Sequence, residues 1–246
     1  KDGPNSPIPN SRLIVSKTKK ILLISNLKKC KQILKNKIIK KDEFLDENNL
    51  PSKILHLKGK NFIVDDKSCS IFYENLIKSK FKIIKREDPI YLLKAIKNKT
   101  EIKNMINAHI LDGVALTKFL FWIKKINKKK ITEVEAAKKL ENFRKLNKNF
   151  LYPSFDTIAG SGKNGAIVHY RAKKEKCRTI NRNDILLCDS GGQYKYGTTD
   201  VTRTICFSKQ KKNIKDIFTK VLKGHIAVAT TDINKDDTGK KIDKRA

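Results

Sequence analysis

Ile185-Leu186-Leu187-Cys188-Asp189-Ser190-Gly191-Gly192-Gln193-Tyr194, continued by Lys195-Tyr196-Gly197-Thr198-Thr199-Asp200-Val201-Thr202-Arg203-Thr204-Ile205-Cys206-Phe207, is two strand patterns joined by a glycine-containing connection. The first is a continuous apolar run that closes on Asp189. The second alternates, so Thr198, Asp200, Thr202 and Thr204 share one face, while Val201, Ile205 and Phe207 take the other with Arg203. If the two segments pair as a hairpin, Asp189 and Asp200 converge. A carboxylate ending a buried strand is destabilising unless it is paired or holds a metal. Two aspartates offer hard oxygen ligands suited to Mn2+, Mg2+, Co2+ or Zn2+, the softer ions only if a histidine joins. A carboxylate bridging two ions about 3.5–4 Å apart is the arrangement of two-metal hydrolases, where bound water ionises near pH ~7. Spacing alone leaves a second reading open, in which both are turn or salt-bridge residues with Arg203 as a nearby partner.

Upstream, Gly165-Ala166-Ile167-Val168-His169-Tyr170 reads as a strand over 166–170, with His169 beside Ile167 and opposite Val168. A histidine leaving an apolar strand can shuttle protons or donate a hydrogen bond to a substrate. A packed or surface histidine fits the same residues. The preceding Gly160-Ser161-Gly162-Lys163-Asn164-Gly165 matches GxGxxG literally. A dinucleotide fingerprint needs a helix next, whereas Ala166-Ile167-Val168 is β-like. No VAIK, HRD or DFG element accompanies it. Thr157 and Asn164 spoil a phosphate-binding P-loop. The segment reads as a tight β-turn.

Further out, the residues before 88 alternate. Leu13–Val15, Ile21–Ile24, 54–57 and 62–65 are strand candidates, and 27–40 and 70–80 are helical. That alternation reads as an α/β unit. The opening Gly3-Pro4-Asn5-Ser6-Pro7-Ile8-Pro9 cannot hold a helix. Asp88-Pro89 starts a long helical pattern. Its apolar face is Ile102, Met105, Ile106, His109, Gly113, Leu116, Leu120 and Ile123, with His109 read as a core histidine. Thr132-Glu133-Val134-Glu135 is a capping box opening a helix to about Leu146. A last amphipathic helix covers 213–231, with His225 on its apolar face.

The bulk composition restricts function. The chain has 246 residues and a formal net charge of +31. Only eight of its 56 basic residues are arginine, the preferred reader of phosphate and guanine. The lysines are spread along the chain, with local clusters at Lys128-Lys129-Lys130 and Lys209-Gln210-Lys211-Lys212. That pattern argues against a nucleic-acid partner. No run of 18 apolar residues exists, which argues against a membrane span. The five cysteines lack CxxC spacing and are odd in number, which argues against a zinc ribbon or disulfide framework and fits reduced thiols in a cytoplasm. Cys188 and Cys206 read as buried structural thiols. Lys1 stands where Met would be, so the chain reads as a fragment.

Ser154–Ser161 with Gly162, Asn164–Tyr170, Asp189–Tyr194 and Gly197–Thr204 together resemble the pita-bread metallopeptidases, most closely their Xaa-Pro aminopeptidase (aminopeptidase P) branch. Lys94–Asn98, Ala108–Gly113, Trp122 and Val221–Ile226 agree, and Pro4–Pro9 looks like part of the family's second N-terminal domain. The resemblance implies an α/β (α+β) fold: a partial ribonuclease-H-like, creatinase-type domain over 1–88, then the first half of a pita-bread catalytic domain over 89–246. It implies two divalent ions, usually manganese with cobalt or zinc as substitutes. Asp189 and Asp200 match the first two ligands, Asp200 being the bridge. His169 matches the histidine that contacts substrate and assists proton transfer. One further His and two Glu ligands would lie beyond residue 246. The implied reaction removes the N-terminal residue of a peptide whose second residue is proline, by metal-activated hydroxide. The implied full-length protein is a homodimer, and this chain alone is inactive. Tyr196 before Gly197 and Lys244-Arg245-Ala246 depart from the family pattern without touching the proposed ligands. A prolidase-like or other pita-bread peptidase, and a non-catalytic pita-bread binding protein, remain as alternatives.

Overall fold

A computed structural model describes residues 5, 10–125, 130–233 and 238–246. The opening segment 3–9 (Asn5 apart) and Lys128-Lys129 therefore lie outside the described residues. The chain divides into two units, Lys1–Ile110 with Gln193–Thr199, and Leu111–Gly192 with Asp200–Ala246.

In the first unit, β1 (Ser11–Val15) and β2 (Ile21–Ser25) form an antiparallel hairpin, and β2 pairs in parallel with β3 (Phe44–Asp46). The crossover helix α1 (Leu27–Lys35) is capped by the Asn26 side chain. It ends earlier than 40 because Lys37 turns left-handed, at φ +55°. Residues 54–56 belong to helix α2 (Leu50–His56), not to the expected strand. Pro51 in its first turn pre-sets a helical φ. Leu50 and Ile54, one turn apart, are both 2% exposed. Strand β4 (Asn61–Val64), helix α3 (Ile71–Lys78) and strand β5 (Lys82–Lys85) form a parallel βαβ unit, with Ser70 as the helix cap. Ile24, Leu50, Ile54, Val64, Ile77 and Phe81 close the core.

Asp88 caps α4 (Pro89–Ala95) as expected, but the long helix does not run on from it. Ile96–Asn98 interrupt it. Asn98 and Glu101 then exchange side-chain-to-backbone bonds of 2.9 Å each, starting α5 (Lys99–Lys125) afresh. The buried face of α5 is also rotated from expectation. Ala108, Asp112, Ala115, Leu116, Phe119 and Ile123 are buried, while Ile102, Ile106 and His109 are not. Nδ1 of His109 instead contacts the Met105 carbonyl on its own helix at 2.9 Å. By length and composition α5 could cross a membrane. Leu116, Phe119 and Ile123 bury part of that apolar surface in the core of the second unit, while Ile106, Ile110, Val114 and Phe121 stay exposed.

In the second unit, α6 (Glu133–Lys145) carries the expected capping box of Thr132 and Glu135. After β6 (Phe150–Pro153) and β7 (Ile158–Ser161) comes β8 (Ile185–Ser190). The predicted strand 198–207 breaks at Thr199-Asp200. Gly197–Thr198, as β10, pairs with β9 (Gly192–Tyr194) through residues that belong to the first unit, while β11 (Val201–Cys206) pairs with β8 in the second. Strand β8 is central, antiparallel to β7 on one side and β11 on the other. Helices α5 and α6 cover this sheet through Leu116, Phe119, Ile123, Ala136, Leu140, Ala159, Leu186, Cys188 and Ile205. Cys188 is buried, and burial pushes its thiol up to about 11. Cys206, expected inside, is exposed because β11 is an edge strand and its odd-numbered neighbour Ile205 takes the core side. All five cysteines are free. Helix α7 (Lys212–Ala229) matches its expected span, but His225 is exposed, not core. A short α8 (Gly239–Asp243) follows.

Candidate metal site

Asp189 is the penultimate residue of β8, between buried Cys188 and Ser190. The register sets it opposite Thr202 on β11 and Ile158 on β7. Antiparallel partners share a face, so Asp189 and Thr202 point the same way. The Thr202 hydroxyl donates to Asp189 Oδ1 at 2.9 Å. Asp200 stands two residues before Thr202, near enough to Asp189 for the two carboxyls to interact electrostatically. Desolvation of the carboxyl, and then the Asp189 charge beside it, hold Asp200 above the usual carboxylate range. Two acidic groups in contact resist joint ionisation, and a cation between them relieves the repulsion. The hairpin thus brings both aspartates together. Arg203, the alternative partner, is exposed and donates to the Thr202 carbonyl at 2.8 Å instead.

The end of β8 is anchored from beneath. Arg144 on α6 and Asp112 on α5 form a fork-to-carboxylate ion pair, Nε to Oδ1 at 2.6 Å and Nη2 to Oδ2 at 3.0 Å. Arg144 Nη2 also donates to Ser190 Oγ at 3.0 Å. All three residues are at most 2% exposed. The strand segment bearing Asp189 is therefore tied through its neighbour to both covering helices.

The neighbourhood of His169 departs from expectation. Residues 166–170 are not a strand. β7 runs into a 3-10 helix over Gly162–Ala166, and a turn closed by Tyr170 N–H to the Ile167 carbonyl at 3.2 Å comes next. Gly162 adopts φ +56°, which ends the strand, and His169 itself adopts φ +54°. Ile167, Val168 and His169 are exposed. His169 does not join the aspartates as a ligand-type neighbour: among the described residues no group of three or more His, Cys, Asp or Glu side chains gathers to hold a metal.

Glu133, read from sequence only as part of a capping box, lies fully buried at the first turn of α6. Its carboxylate accepts from Ser161 N–H at 2.7 Å, Asn164 Nδ2 at 3.0 and 3.1 Å, Tyr170 Oη at 2.7 Å and Arg178 N–H at 2.8 Å. Asn164 Nδ2 also donates to Tyr170 Oη at 2.9 Å. Burial, and then the Glu133 bond and charge, raise Tyr170 to about 12. The available sequence signal was spacing. Glu133, Ala136, Leu140 and Arg144 fall on one helical face, and a charge in register with an apolar stripe is a buried charge that needs partners. Asp112 stands in the same relation to Ala108, Ala115 and Phe119.

Residues 103–246 match the description "Metallopeptidase family M24", and residues 1–101 match "Creatinase/Prolidase N-terminal domain". The chain is 46% identical over 168 residues to the probable Xaa-Pro aminopeptidase P of Paracoccidioides brasiliensis (strain Pb03), covering 67% of this chain and 27% of that protein. It is 44% identical over 164 residues to the Xaa-Pro aminopeptidase ApepP of Drosophila melanogaster, covering 66% and 27%. Among solved structures, the X-prolyl aminopeptidase from Caenorhabditis elegans, described as a cytosolic enzyme with a di-nuclear active site, superposes with a TM-score of 0.78 at 27% identity over 94% of this chain and 39% of that one. The prolidase from Pyrococcus furiosus gives 0.69 at 25% identity over 91% and 63%. The chain thus spans about a quarter of the length of the curated relatives it matches. With a mixed helix-and-strand fold, a creatinase-type N-terminal match and a catalytic-domain match over more than half its length, the chain belongs to metallopeptidase family M24.

Proposed function

We propose that this chain is part of a metal-dependent aminopeptidase that releases the N-terminal residue from peptides with proline in second position. The observation that carries the reading is Asp189, held at the end of β8 by the Thr202 hydroxyl, with Asp200 near enough to interact with it, an arrangement that favours a shared positive charge. The names of the relatives supply the substrate class. Asp189 and Asp200 would hold two divalent ions, with manganese as the expected pair. Bound, the ions would supply Lewis acidity toward the scissile carbonyl and toward water. The residues of this chain do the rest. Asp200 and Asp189 would supply carboxylate oxygens to the ions, and Thr202 would orient Asp189. The exposed His169 ring would contact the substrate and move a proton at the reacting amide. Five free cysteines fit a reducing compartment such as the cytoplasm, and a homodimer is the expected assembly.

Two carboxylates do not complete a two-metal site, so the 246 residues alone should bind metal weakly and hydrolyse nothing. Asp200→Asn in the complete protein should abolish manganese binding by calorimetry and cleavage of a longer Xaa-Pro peptide together. Retained metal and activity in that variant, or cleavage of Xaa-Pro dipeptides only, would sink the proposal.

A further inference from the structure

His169 carries a backbone conformation that L-residues rarely adopt, and it is exposed. The other described non-glycine residues with positive φ have local reasons. Lys19 sits in the β1–β2 turn and Lys37 just past the end of α1. A left-handed residue of this kind is disfavoured and persists where its surroundings over-determine it. The surroundings here are one buried carboxylate. Glu133 bonds the residue directly after His169, through Tyr170 Oη. It bonds the 3-10 turn before His169, through Asn164 Nδ2. It also bonds the end of β7, through Ser161 N–H. The Asn164-to-Tyr170 bond closes the loop on itself. Every partner is a donor, the pattern an ionised carboxylate satisfies and an amide does not. Glu133 also sits in the first turn of α6, where the helix dipole favours a negative charge.

We infer that Glu133 is a positioning residue for His169. Its buried carboxylate clamps the 161–170 loop on both sides of the histidine and so sets where the imidazole stands toward the substrate. Glu133 touches neither substrate nor metal in this account. Its effect passes through the backbone at 169–170. The inference rests on the role proposed above for His169.

The test is a double-mutant cycle in the complete protein, read as kcat/KM on a longer Xaa-Pro peptide, with thermal unfolding followed in parallel. Glu133→Gln keeps the side-chain shape but turns an amide N–H toward one of the four donors. It should lower kcat/KM on the order of 10- to 100-fold, the usual penalty for a misplaced catalytic group. His169→Ala should cost on the order of 100-fold or more. In the His169→Ala background, Glu133→Gln should change kcat/KM by less than about 3-fold, because residues acting as a unit are not additive. A full, additive loss in that background would mean that Glu133 merely supports the fold, and overturns the inference while leaving His169 as it stands. Unchanged activity in His169→Ala overturns both the inference and the His169 assignment. If Glu133→Gln shows no cooperative unfolding transition, Tyr170→Phe, which deletes the hydroxyl that bonds both Glu133 and Asn164, takes its place in the same cycle. Additivity there overturns the inference equally.

Discussion

Arg144 keeps 1% of its surface and spends its guanidinium on Asp112 and Ser190. Two charges withdrawn from water are stabilised only when each has its partner. Arg144→Ala removes one and leaves the Asp112 carboxylate buried without its cation, so a loss of about 3–5 kcal/mol in urea unfolding is expected. The pairwise replacement Arg144→Met with Asp112→Leu removes both charges and should recover much of that loss. A single variant as stable as the double would show that the pair is not the source. This network was half legible. Helical periodicity puts Arg144 in line with Ala136 and Leu140, which marks it as buried, but periodicity does not say which acid on which helix meets it. The aspartate pair was legible only in part, for a different reason. Pairing of two strand patterns suffices to set Asp189 opposite Thr202, but Asp200 lies in the break between β10 and β11, where alternation does not reach. What sequence could not place was His169, because its position depends on a carboxylate that belongs, in sequence, to a helix cap.

Two of the misassigned stretches show why the sequence reading failed there. One is the short apolar run whose periodicity is ambiguous. Residues 54–57 look β-like until Pro51 and the Leu50–Ile54 spacing are weighed together. The other is the glycine segment 160–165, read as a β-turn. There β7 continues through Gly160 and Ser161 and only then winds into the 3-10 helix. The two glycines have different duties. A Cβ on Gly160 would meet the Asn164 carbonyl carbon and oxygen and Gly165 Cα at 2.9 Å, all backbone atoms that cannot swing aside. A Cβ on Gly162 would meet the Asp184 carboxyl at 3.1 Å and the Arg178 guanidinium at 3.3 Å, which can move, but its φ of +56° penalises any L-residue. Gly160→Ala should therefore destabilise by about 1–3 kcal/mol through overpacking and displace the loop that carries His169. Gly162→Asn, a residue that tolerates left-handed backbone, should lose clearly less than Gly162→Val. Denaturant midpoints of the three variants check the order, and a Gly160→Ala as stable as wild type would refute the close approach.

At the scale of the whole molecule the dominant fact is charge. A formal net charge of +31 over 246 residues produces self-repulsion that opposes folding. The carboxylates do not neutralise it locally. The ion pairs of Lys67–Glu87, Lys85–Asp66 and Lys94–Glu101 are exposed on both sides, and such pairs contribute only about 0–1 kcal/mol each. Diffuse repulsion of this kind is screened by any salt, since the Debye length shortens from about 30 Å at 0.01 M to about 10 Å at 0.1 M. The melting temperature should therefore rise with ionic strength over that range, and potassium chloride and choline chloride should act alike, because screening does not depend on which cation is present. A built polyanion site behaves in the opposite way. A short polyphosphate or oligonucleotide would then raise the melting temperature saturably at low salt, and the gain would shrink as salt is added, through counterion release. The sparse arginines and the spread of lysines along the chain predict the first behaviour. A saturable polyanion effect that survives physiological salt would show instead that the positive charge is gathered into a binding surface.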